Sequence, residues 1–221
     1  MNKEIDQNGF AIISKVLTNE QCRELISALG PVTGAGRRGL LSLPVVTALA
    51  HSEQLLNLVR PNLPTEPIPV RAIYFDKSPE ANWLVTWHQD MSVALQARAD
   101  VNGFGPWSIK DGVPHVQPPV EFLQKMLTIR LHLDEADETN GGLRVLPGSH
   151  RLGRLSSAKI QELRSLQPDF LCSVLAGDAL LMRPLLLHAS SRSTSNRHRR
   201  VLHIEYAGFT LPKELQWHEA A

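Results

Sequence analysis

The sequence predicts a mainly β protein with flanking helices, built on a double-stranded β-helix, the cupin-like jelly-roll barrel. Two observations carry this. From Val70 onward, short apolar or β-branched runs alternate with Gly, Pro and Asn turns, the texture of a β-sandwich or barrel. Before that point apolar residues recur at three- and four-residue spacing, the helical period. A chain of 221 residues is expected to form one domain: a helical N-terminal support over 1–69, a jelly-roll core over 70–210 and a lid insertion over 91–126.

The elements follow in order. After a short apolar run, Phe10 to Ile13, Thr18 and Gln21 read as a capping box, and Cys22, Leu25, Ile26 and Leu29 repeat on one helical face until Gly30 and Pro31 stop the helix. The loop Gly34 to Gly39 holds Arg37 and Arg38 but lacks the Lys and Ser/Thr of a phosphate loop, so it is read as surface. A second helix is expected over 45–59, closing in a Pro-rich linker. Strands are expected at 70–75, 84–87, 127–133, 143–146, 171–175, 179–182, 185–189 and 200–207, with an inserted helix at 156–166. Long ordered loops on a rigid sheet usually bind something, which makes 91–126 the expected lid.

Composition excludes several classes. Lys and Arg number 23 against 22 Asp and Glu, so no field recruits nucleic acid; the one basic cluster, Arg197 to Arg200, lacks aromatics for base stacking. The longest apolar run, 179–189, is broken by Arg183 and Pro184, which leaves no membrane span. The N-terminal MNKEIDQNG has no apolar leader, and Cys22 and Cys172 form no CxxC pair, so a cytoplasmic location is expected.

Two His-x-Asp units carry the chemistry: His88-Gln89-Asp90 after LVTW, and His132-Leu133-Asp134 ending LTIRL. Alternate residues of an extended segment share a face, so each unit presents an imidazole and a carboxylate together. These are two thirds of a facial triad for non-haem Fe(II). His188 is the natural third ligand for either unit, and spacing does not separate them.

The segments WHQD (87–90), HLDEADETNGGLRVLPGSHRLG (132–153), GDALLMRPLLLHASS (177–191) and RRVLHIEYA (199–207) together resemble the phytanoyl-CoA dioxygenase family of Fe(II)/2-oxoglutarate oxygenases over roughly residues 70–210. The resemblance implies His88, Asp90 and His188 as iron ligands, with His132 and Asp134 structural. It implies that Arg199 holds the distal carboxylate of 2-oxoglutarate with Ser190 beside it. Arg200 is the rival on the opposite strand face, and a guanidinium fork suits a carboxylate. Asp90 stands where a halogenating relative would need a small residue, so the implied reaction is hydroxylation of a small molecule, with 2-oxoglutarate and O2 consumed and succinate and CO2 released. Arg71, Trp107, Lys110, His115, Thr128 and Arg130 are the further candidates for substrate contact or support of the site, and His203 is read as a satisfied interior polar group. The competing readings are a cupin-like metal-dependent isomerase and a non-catalytic binding module; Arg199 with Ser190 separates them, because an isomerase needs no buried fork for a co-substrate carboxylate.

Overall fold

The computed structural model describes residues 3–34 and 36–219; the Gly34 to Gly39 loop therefore lies partly outside the described residues, at Ala35. Twelve strands are described: β1 (Phe10–Ile13), β2 (Ile68–Lys77), β3 (Val85–His88), β4 (Val93–Ala94), β5 (Trp107–Lys110), β6 (Val113–Val116), β7 (Met126–His132), β8 (Leu143–Val145), β9 (Phe170–Cys172), β10 (Ala179–Met182), β11 (His188–Ser190) and β12 (Arg199–Ala207). Six α-helices accompany them: α1 (Lys3–Asn8), α2 (Asn19–Leu29), α3 (Pro44–Ala50), α4 (Glu53–Val59), α5 (Val120–Leu123) and α6 (Ser157–Leu166). They form a five-stranded sheet in the order β1-β10-β7-β12-β2, a four-stranded sheet β3-β11-β8-β9 and a small sheet β4-β6-β5. Every pairing is antiparallel. The fold is the jelly roll that the strand texture predicts.

Period-two alternation divides the large sheet. On β12, Leu202, Ile204 and Tyr206 join Ala72, Tyr74, Ile129 and Leu131 against Leu25, Leu29, Val46 and Leu55 of the helices, and Tyr206 Oη donates to the Ala50 carbonyl at 2.9 Å. Each fully buried leucine here contributes about 2 kcal/mol. The opposite face runs in rungs set by register: Arg71–Glu205–Thr128, Ile73–His203–Arg130, Phe75–Val201–His132, and Lys77–Arg199. This face is the floor of the functional cavity.

Three expectations are corrected. Residues 1–69 are not helical throughout, because Phe10–Ile13 adds a strand to the edge of the large sheet beside β10. The helix expected over 45–59 is two, since Ser52 caps a new start by accepting from Leu55 N. The strand expected at 185–189 begins only at His188, because a turn closed by Leu186 N to Arg183 O at 3.0 Å precedes it. The insertion 91–126 is itself built, carrying β4, β5, β6 and α5. The chain beyond residue 210 returns to it, where Leu95 pairs with Trp217.

Candidate active site

The segment WHQD becomes a ligand platform through backbone pairing. His88 on β3 and His188 on β11 are register partners, and Asp90 N continues the ladder to Pro184 O at 2.9 Å. Gln89 points the other way and is pinned: its Nε2 donates to the Gly153 and Leu185 carbonyls, and its Oε1 accepts from Leu155 N. That anchoring commits His88 and Asp90 to the cavity side. Asp90 lies 3.7 Å from Nε2 of each histidine, His88 through Oδ1 and His188 through Oδ2. One ligand atom from each of the three falls within 4.8 Å of the others, the one such cluster among the described residues.

Both rings are oriented from behind. His88 Nδ1 sits 2.8 Å from Thr86 O, and His188 Nδ1 sits 2.8 Å from Leu186 O. A carbonyl only accepts, so Nδ1 carries the proton in each ring and Nε2 offers its lone pair toward Asp90, the usual preparation of a metal-binding imidazole. Burial alone would raise the Asp90 carboxyl, but the imidazoles around it, His188 foremost with His88 and His203, outweigh burial and hold the carboxyl well below the usual range. Burial lowers His188 to about 4, so it stays neutral and able to ligate.

The second His-x-Asp unit is spent elsewhere. Asp134 takes the Arg200 guanidinium in a bidentate pair, both contacts 2.7 Å, and accepts from Arg200 N as well. His132 is buried, its Nδ1 3.2 Å from Arg130 O; burial, then Arg130 and Arg199, keep it neutral. The pair Arg200–Asp134 decides which arginine turns inward. Arg199 is 3% exposed, and its Nε and Nη1 find no hydrogen-bond partner. An orphaned buried guanidinium costs several kcal/mol unless an anion meets it, and this one lines the same cavity of about 470 Å³ as the triad.

Ser190 lines that cavity too, with its hydroxyl donating to Gly141 O at 2.8 Å and accepting from Lys77 Nζ at 2.7 Å. Lys77 is wholly buried without a carboxylate and also donates to Ser191 O at 2.5 Å. Burial, then Arg199, Arg130 and Arg192, lower its pKa to about 7. Sequence reasoning missed Lys77; the signal was the alternation Arg71, Ile73, Phe75, Lys77 on one strand face. Of the further candidates, Arg71, Trp107, Lys110 and Arg130 line the cavity, whereas Thr128 and His115 do not. His203 lines it as well, accepting at Nδ1 from Arg130 at 2.9 Å and facing Glu205 Oε1 from Nε2 at 3.3 Å. Its proton therefore sits on Nε2.

A jelly roll with this triad in the same cavity as an unpaired arginine defines a non-haem iron, 2-oxoglutarate-dependent oxygenase. The profile of the phytanoyl-CoA dioxygenase (PhyH) family matches residues 5–201, and the chain belongs to that family. Solved structures share the fold: AviO1 from Streptomyces viridochromogenes Tue57 (22% identity over 96% of this chain and 95% of that one, TM-score 0.67), EctD from S. alaskensis in its apo form (17%, 99% and 83%, 0.72), and HygX from Streptomyces hygroscopicus with nickel and 2-oxoglutarate bound (18%, 96% and 89%, 0.68). No curated protein matches the chain. No helix among the described residues is long and apolar enough to cross a membrane.

Proposed function

We propose that His88, Asp90 and His188 hold Fe(II), that Arg199 with Lys77 and Ser190 receives the distal carboxylate of 2-oxoglutarate, and that the enzyme hydroxylates an unactivated C–H bond of a small molecule. The observation that carries this reading is the orphaned Arg199 guanidinium in the cavity of the triad. An isomerase or a binding module has no use for it. When bound, iron and 2-oxoglutarate supply the oxidising chemistry, O2 being consumed as succinate and CO2 leave.

The chain's own residues do the rest. Thr86 O and Leu186 O fix the two imidazoles, and Asp90 supplies the one ligand charge. Lys77 and Arg130 reinforce the positive field around Arg199, where low dielectric strengthens attraction for a dicarboxylate. Phe75, Trp83, Val85 and Leu143 provide apolar wall, which keeps water from the reacting carbon.

Anaerobic titration of the protein with Fe(II) and then 2-oxoglutarate tests the reading. A visible charge-transfer band is expected with wild type. His88→Ala should lose iron binding, while His132→Ala should lose stability and retain the band. A folded wild-type protein that binds iron but gives no band on adding 2-oxoglutarate would sink the co-substrate assignment.

A further inference from the structure

The cavity has a second charged pole that the co-substrate leaves free. Lys77 and Arg71 stand at opposite ends of the cavity face of β2, six residues of extended chain apart, about 20 Å between Cα atoms. A five-carbon diacid anchored on Arg199, the register partner of Lys77, is too short to reach Arg71. At the Arg71 end three cations line the cavity: Arg38, Arg71 and Lys110.

Two of the three have a direct ion-pair partner and Lys110 has none, while Glu219 lies within electrostatic reach of Arg71. Arg38 is paired with Asp111 at the tip of the β5–β6 hairpin. Arg71 is buried and commits Nη1 alone to Glu205 Oε1 at 3.2 Å; no other side-chain nitrogen of Arg71 makes a hydrogen bond to a described residue. Glu205 holds that guanidinium in place and is itself held by His203. Lys110, an exposed side chain, has a hydroxyl, Ser92 Oγ at 2.9 Å, and no ion-pair partner among the described residues; partial desolvation and then Arg71 and Arg38 lower its pKa against a smaller opposing pull from Asp90 and Glu205. The same cavity is lined by the apolar Ile73, Pro106 and Trp107, with Ile73 next to Arg71 on the cavity face of β2.

Resting on the oxygenase reading of the same cavity, we propose that the primary substrate carries an oxyanion, a carboxylate or a phosphate monoester, docked between Arg71 and Lys110, with its apolar part along Trp107 and Ile73. Charge-assisted hydrogen bonds to a desolvated oxyanion are the strong ones, and a pole of this kind selects for charge before shape.

The test uses phenylacetate, phenyl phosphate and the neutral phenylacetamide as probes. Binding is read by thermal shift and calorimetry on metal-free protein and on protein loaded with Fe(II) and 2-oxoglutarate under argon. At least one anion is expected to bind about tenfold or more tighter than the amide, and the stronger of the two names the oxyanion. Lys110→Gln, an exposed position, should erase that preference, and Arg71→Gln should do the same where it folds; Arg199→Gln should keep it in the metal-free protein. The proposal fails if no anion binds, if anion and amide bind alike, or if the preference survives Lys110→Gln. It fails equally if the preference disappears in Arg199→Gln, which would put the anion in the co-substrate pocket. Failure of 2-oxoglutarate itself to bind wild type would sink the oxygenase reading instead, and the metal-free arm would still report on Arg71 and Lys110.

Discussion

Replacing Arg199 and replacing Arg200 each remove one positive charge from neighbouring positions on β12, yet the losses should appear in different measurements. Arg199 has unpartnered nitrogens in the cavity, so Arg199→Ala should weaken 2-oxoglutarate binding about a hundredfold with little loss of melting temperature. Arg200 is locked to the half-buried Asp134, so Arg200→Ala should cost about 1–2 kcal/mol of stability and barely change co-substrate affinity. Calorimetric titration beside denaturant unfolding checks both; equal effects on 2-oxoglutarate would overturn the division of labour. At this scale the sequence was legible where local chemistry is self-announcing. WHQD reads as imidazole plus carboxylate on one face because alternation requires nothing distant. Lys77 was missed because the strand was expected to end at residue 75; β2 runs on to Lys77, and pairing with Arg199, far along the chain, buries it.

Among elements, the turn after β7 shows how closely the site is braced. Gly141 has φ +75°, and a Cβ there would stand 2.5 Å from Ser191 O and 2.9 Å from Lys77 Nζ. Gly141→Ala is therefore expected to cost about 2 kcal/mol or more, since left-handed backbone and a backbone clash act together. It should also weaken 2-oxoglutarate binding by displacing Lys77 and Ser190; a chemical melt and a titration on one preparation would check the pair of losses. The capping box at Thr18 and Gln21 forms as written, Gln21 N donating to Thr18 Oγ1 at 3.1 Å, because both partners lie within one turn. The β4-β6-β5 sheet was hidden in a Gly- and Pro-rich stretch that reads as loop; its strands are two to four residues long and are fixed by tertiary pairing rather than by pattern.

For the whole molecule, a buried positive cluster waiting for an anion makes stability depend on pH. Lys77 titrates near 7 when folded against an ordinary 10.5, so the unfolded chain binds more protons between those values and stability rises with pH through that window. Below about pH 7 the penalty of charging Lys77 is fully present. Melting temperature without ligand should therefore climb from about pH 7 to 8.5, before the buried thiols Cys22 and Cys172, both raised by burial, pull stability down again. Lys77→Met should flatten the climb, and an unchanged slope in that variant would place its origin elsewhere. The edge strand β1 has a consequence of a different kind. It pairs along β10, whose residues ALLM are wholly buried, and it is tethered there by Arg183 N to Gly9 O and Gly148 N to Asn8 O. Were those first dozen residues to peel away, a bare apolar ladder would face water, the kind of template on which a second chain can pair. In the folded chain β1 covers that ladder with its own backbone pairing, far along the sheet from the residues that carry the chemistry.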